Sequence, residues 1–94
     1  MEFDWDIAPA DLNELSFKEI EESFEDPFSI RLLPDFDQSP GGEARYFILG
    51  KSVAGRALFT VFWTDGKRYR VIFSRLMTDA EAGFYDRKNA EFAN

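Results

Sequence analysis

Arginine in the middle of an apolar run is the first chemical signal in this chain. Arg56 to Met77 read as two runs of β-branched and aromatic residues around Asp65-Gly66. The second run carries Arg68, Arg70 and Arg75. A guanidinium in mid-strand either reaches a sheet edge or faces an anion, because an unpaired charge is costly to bury. Arg70 is therefore a candidate anion ligand. Phe59 and Trp63, on the same expected face, could stack nucleobases or lie under a helix or a partner subunit. The chain has no histidine and no cysteine. That removes the side chain best suited to proton transfer near neutral pH, the commonest nitrogen metal ligand, thiol catalysis and disulfides. Catalysis must draw on carboxylates, Lys, Arg, Tyr or hydroxyls. The carboxylates fall on a helix face and in loops, with no pair spaced for acid–base work.

Two sequences resemble ligand loops and fail. Asp35, Asp37, Ser39 and Gly41 have calcium-loop spacing, but the sixth position lacks Gly and Tyr46 stands where a bidentate Glu belongs. Gly50-Lys51-Ser52 lacks the upstream glycine and the following helix of a phosphate loop. No cofactor is expected.

Charge is unevenly distributed. The net charge is −7, which opposes general nucleic-acid affinity. Residues 1–43 hold thirteen acids and two bases, residues 44–94 five acids and nine bases. Either the halves neutralise each other across an interface, or a basic sheet face meets an anion.

The elements that must position these residues are legible from local pattern. Asp65-Gly66 predicts a two-residue type I′ turn, which sets Thr64 opposite Lys67, Phe62 opposite Tyr69, Thr60 opposite Val71, Leu58 opposite Phe73 and Val61 opposite Arg70. A bulge would shift the outer pairs. The run before the turn is apolar on both faces and belongs at the sheet centre. Phe3, Trp5 and Ile7 alternate as a short strand. Pro9 to Leu15 suits one or two helical turns. Ser16 to Glu19 is a capping box opening an amphipathic helix that Asp26-Pro27 closes, with its acids as a solvated face. Phe28–Leu33 and Ala44–Lys51 read as strands, separated by a loop from Pro34 to Glu43. Thr78 to Glu81 is a second capping box, opening a helix to about Phe92. The expectation is one α+β domain over residues 1–94. Its helices, one near each end of the chain, pack on one face of a mainly antiparallel sheet of about 4–5 strands. No apolar run approaches the ~20 residues of a membrane span, so the default location is the cytoplasm.

The order and spacing of several short motifs resemble the BrnT toxins, ribonuclease halves of type II toxin–antitoxin pairs. They are Phe3-Asp4-Trp5-Asp6, Ser16-Phe17, Asp26-Pro27, Gly50-Lys51-Ser52, Gly55-Arg56, Tyr69 to Arg75, Glu81 and Tyr85. The resemblance implies a fold similar to RelE-type toxins, a small BrnA-like DNA-binding antitoxin as partner, and RNA cleavage by attack of a 2′-hydroxyl on the adjacent phosphate. Lys51, Arg70 and Arg75 match basic positions of the family and would hold the phosphate. Tyr69 and Tyr85 would be the proton donors, with Tyr85 kept in the candidate set. One motif departs: where the family carries Lys-His-Gly before the Ser-Phe start, this chain has Asp11-Leu-Asn-Glu-Leu15. The implied site is thus degenerate, and the alternative is a catalytically silent module that binds a partner protein. Exposed aromatics on a short sheet would suit a homodimer.

Overall fold

Alternation along the strands decides which side of the sheet is covered. A computed structural model describes residues 2–5, 12–32 and 44–92. The elements are β1 (Glu2–Phe3), α1 (Phe17–Glu25), β2 (Ile30–Leu32), β3 (Ala44–Lys51), β4 (Ala57–Thr64), β5 (Arg68–Leu76) and α2 (Asp79–Phe92). They form one five-stranded sheet in the order β1-β5-β4-β3-β2. Only the β1–β5 pair is parallel. The apolar run β4 is central, as its two-sided hydrophobicity requires. Ile7, the loop from Pro34 to Glu43 and the failed calcium loop lie outside the described residues.

Along β4, Leu58, Thr60 and Phe62 are buried, while Phe59, Val61 and Trp63 remain half-buried. The covered face packs Ile48, Leu58, Phe62 and Val71 against Leu15, Ile20 and Phe24. Each such side chain contributes roughly 1.5–3 kcal/mol on burial. Phe24 meets Phe62 edge-on at 4.8 Å between centroids. Gly50 makes the helix–sheet approach close, since a Cβ there would collide with the Ser23 carbonyl.

The Ser16 cap is present: its Oγ accepts from the Glu19 N–H at 3.1 Å. The Glu19 carboxylate does not turn back to close the box; it accepts from Arg56 at 3.2 Å. Glu22 accepts from the Val53 N–H at 3.2 Å. Two acids of α1 therefore anchor the β3–β4 turn rather than only meeting solvent.

Four further expectations need correction. Residues 12–15 form a turn, not helix. Asn13 and Glu14 are both left-handed, at φ 49 and 67, and the Leu15 N–H closes onto the Leu12 carbonyl at 2.9 Å. Pro9 to Asp11 lie outside the described residues. The strand expected from Phe28 begins at Ile30, because the Asp26 carboxylate captures the Phe28 N–H at 2.9 Å.

The hairpin is not a two-residue type I′ turn. Gly66 has φ +96 but Asp65 is not left-handed. Its Oδ1 instead accepts from the Lys67 and Arg68 N–H groups at 2.8 and 2.9 Å. Thr64 therefore pairs with Tyr69 and Trp63 with Arg70. A shift between Val61 and Phe62 then sets Val61 opposite Phe73 and Phe59 opposite Arg75.

The helices do not share one face. α1 packs on the Phe62 side, whereas Ala80, Glu81 and Phe84 of α2 border Leu49 and Phe59 on the opposite side. The bulge accounts for this, because it turns Arg75 towards the face where Glu81 of α2 binds it.

Candidate active site

The bulge also decides which cations share a surface. Arg70 and Arg75 are five residues apart and would face opposite ways on a regular strand. With the extra residue in β5, their partners Trp63 and Phe59 lie on one face of β4. Both arginines therefore belong to the face that α1 leaves open. They remain about 13 Å apart along the sheet, the span of the four residue steps between their partners.

At the α2 end, Arg75 is held by three acceptors. Its Nη1 donates to Glu81 Oε1 at 2.7 Å and to the Leu76 carbonyl at 3.0 Å, and its Nη2 donates to Glu81 Oε2 at 2.9 Å. The guanidinium carbon lies 4.3 Å from the Phe59 ring centroid. Glu81 is itself the reciprocal residue of the second capping box. Its Oε1 accepts from the Thr78 N–H at 2.8 Å, and its own N–H donates to Thr78 Oγ1 at 3.2 Å. The hydrogen bonds from Arg75 hold the Glu81 carboxyl below the usual carboxylate range. In return they raise the guanidinium further.

One turn along α2, Tyr85 is buried and donates to Asp26 Oδ2 at 2.6 Å. Burial, and then this hydrogen bond to a carboxylate, push the phenol well above its ordinary value. It keeps its proton at neutral pH. Asp26 also accepts from the Lys51 N–H at 2.8 Å. One carboxylate thus ties together the end of α1, the end of β3 and α2. The exposed Lys51 ammonium lies 5.2 Å from the Tyr85 ring centroid.

Three of the four expected site residues, Lys51, Arg75 and Tyr85, are therefore gathered around the first two turns of α2. Arg70 is not among them. It lies at the hairpin end, 6.0 Å from the Trp63 ring centroid, in a cleft also lined by Asp4, Asp65 and Arg68. Tyr69 lies on the covered face against Phe62 and Phe24. The sequence reading missed Asp26 as the hub of the cluster. Its signal, Asp before Pro at a helix end, marks a helix stop and says nothing of contacts 25 and 59 residues away.

Chemically, this end offers one accessible ammonium, one guanidinium already carrying a carboxylate, and a neutral phenol. It can bind an anion and stabilise charge on it. It offers no imidazole, and among the described residues no three His, Cys, Asp or Glu side chains group as a metal site. A family model described as "Ribonuclease toxin, BrnT, of type II toxin-antitoxin system" matches residues 5–81. No curated protein and no solved structure matches the chain.

Proposed function

The chain belongs to the BrnT family of type II toxin–antitoxin toxins, and from that premise we propose that it cleaves RNA with a reduced, histidine-free site at the α2 end of the sheet. The observation that supports this is the gathering of Lys51 and Arg75 beside Tyr85 on one face. In the proposed reaction a ribose 2′-oxygen attacks phosphorus and the bond to the 5′-oxygen breaks. A cyclic phosphate and a 5′-hydroxyl result, with the 2′-proton passing to solvent and a proton returning to the leaving oxygen. Lys51 and Arg75 offset the charge that builds on the phosphoryl oxygens, the guanidinium exchanging part of its hold on Glu81 for the phosphate. Tyr85 positions Asp26 and Lys51. Arg70 contacts the strand further along. Family membership implies an antitoxin partner; we assign a BrnA-like protein, a RelE-like fold and action in the cytoplasm. No helix among the described residues is long and apolar enough to cross a membrane.

A second reading has its own observation. Both terminal nitrogens of Arg75 are occupied by Glu81, as in a scaffold whose cations serve the fold. The protein would then be a silent module that binds its antitoxin-like partner without turnover.

Incubation of the purified protein with a mixed RNA pool decides between them. Cleavage is expected, with Lys51→Ala and Arg75→Ala each slowing it by about 10²-fold, the effect typical of losing one charge-stabilising donor. Induced expression should arrest growth, and the same variants should relieve the arrest. Intact RNA and normal growth with a folded wild type would establish the silent module.

A further inference from the structure

The face opposite α1 is built differently from a surface meant only for solvent. Phe47 and Phe59 stack at 5.7 Å between centroids with a 21° interplanar angle. Phe73 meets Phe59 edge-on at 6.4 Å. Trp63 lies two residues beyond Val61 on the same side of β4. All four rings are half-buried, and among the described residues only the start of α2 borders this side, at Leu49 and Phe59. The rows of the face repeat every second residue, roughly 7 Å apart.

Charge is sorted across the sheet in the same sense. The acids Glu21, Glu22 and Glu25 belong to α1, on the covered side. The open side carries Arg70 near Trp63 and Arg75 near Phe59, with Glu81 bound to Arg75 and Asp4 and Asp65 at the hairpin rim. A protein with net charge −7 thus keeps two arginine–ring pairs, Arg70 with Trp63 and Arg75 with Phe59, on the open face, while Arg31 lies over Tyr69 on the covered one. Aromatic rings interleaved with arginine on a sheet are what unpaired nucleobases require, since every base has a π-face and every linkage an anion. A paired duplex presents neither its base faces nor a shape that lies flat on such a surface.

We propose that the open face of the sheet is a stacking platform for single-stranded RNA, with unpaired bases against Trp63 and Phe73, a flanking phosphate met by Arg70 and the scissile one by Arg75 and Lys51. The proposal deepens the ribonuclease reading and rests on RNA being the substrate. The platform holds the strand, and the Lys51 end receives the scissile phosphate. It makes single-strandedness, rather than base identity, the property selected, because stacking is tolerant of sequence.

The test separates binding from cleavage. A 2′-O-methyl strand of about 12 nucleotides, a length spanning typical single-strand sites, carries no attacking hydroxyl. It is compared with the same strand annealed to its complement by fluorescence anisotropy. The single strand should bind at least tenfold tighter than the duplex. Trp63→Leu and Phe73→Leu should each weaken it about tenfold, since leucine keeps the apolar cover and removes the ring. Trp63→Phe should recover most of the loss, which a merely packed position would not require. Binding without cleavage of ordinary RNA upholds the platform and removes the ribonuclease reading. Cleavage unaffected by both leucine variants, or equal affinity for duplex, overturns the platform and leaves the ribonuclease standing. No binding of either strand, with Trp63→Leu instead disrupting assembly with a second copy or a partner protein, overturns it in favour of a protein interface.

Discussion

Glu81 performs two tasks with one carboxylate. It closes the cap of α2 and neutralises Arg75 at the same time. Its folded-state pKa is depressed below the ordinary carboxylate range, first by the Arg75 hydrogen bonds. A depressed acid contributes stability that is present above its unfolded pKa and is lost as pH falls through the folded value. Glu81→Gln should therefore lower stability by about 1 kcal/mol at pH 7, the pair being partly exposed. The deficit should shrink as pH falls below about 4.5, where the wild type loses the same contribution. Urea unfolding at a series of pH values checks this, and a deficit independent of pH would refute the assignment. Tyr85 has the opposite sign: its raised phenol stabilises fully below the ordinary tyrosine range and less as pH rises towards its folded value. At this scale the capping of α2 was legible, because Thr78 and Glu81 are three residues apart. The Asp26–Tyr85 bond was not, because nothing local marks two residues 59 positions apart as neighbours.

Among the elements, α1 and the sheet meet where Gly50 removes a side chain. Gly50→Ala would place a methyl against the backbone of Ser23, which has no flexible end to move aside. A loss of about 1–3 kcal/mol is expected, the range for overpacking a well-packed contact. A fall in the urea midpoint at unchanged slope would report it. Unchanged stability would show that α1 can lift from β3 freely.

Strands β3, β4 and β5 were legible from alternation and from β-branched and aromatic content, whereas β1, expected to alternate through Phe3 and Trp5, ends at Phe3. β3 runs from Ala44 to Lys51 as expected. Their register was not, for two separate reasons. The Asp65 carboxylate spends itself on two backbone N–H groups and widens the loop. The extra residue in β5 then reverses the facing of everything from Phe73 onward. The candidate site suffered accordingly: residue types pointed to Arg70 and Arg75, but only the bulge places them on one face, and strand length keeps them apart.

For the whole molecule, the division into an acidic and a basic half turns out to be partly an interface and partly a surface. Arg56 meets Glu19 at 3.2 Å and Arg68 meets Glu2 at 4.0 Å, each pair crossing the two halves. Exposed pairs of this kind contribute little, so the core of α1 against β3 and β4 holds the halves together. Arg70 and Arg75 remain on the open face instead of being drawn under α1.

The attachment of α2 has a consequence in time. Tyr85 is its one buried side chain among those described. Among the described residues its polar ties to the rest include the Glu81–Arg75 pair, the Tyr85–Asp26 bond, the Lys51 ammonium over the Tyr85 ring and an Asn89 amide on the Phe28 carbonyl. A helix fastened by a few polar clasps, with little apolar cover, opens at a lower free energy than the sheet beneath it. Its amides should exchange with deuterium well before those of β4, in a regime where the sheet is still intact. Each opening unlatches Arg75 and bares Leu49 and Phe59 together, so the clock that admits a ligand to this end of the face is the lifetime of the helix.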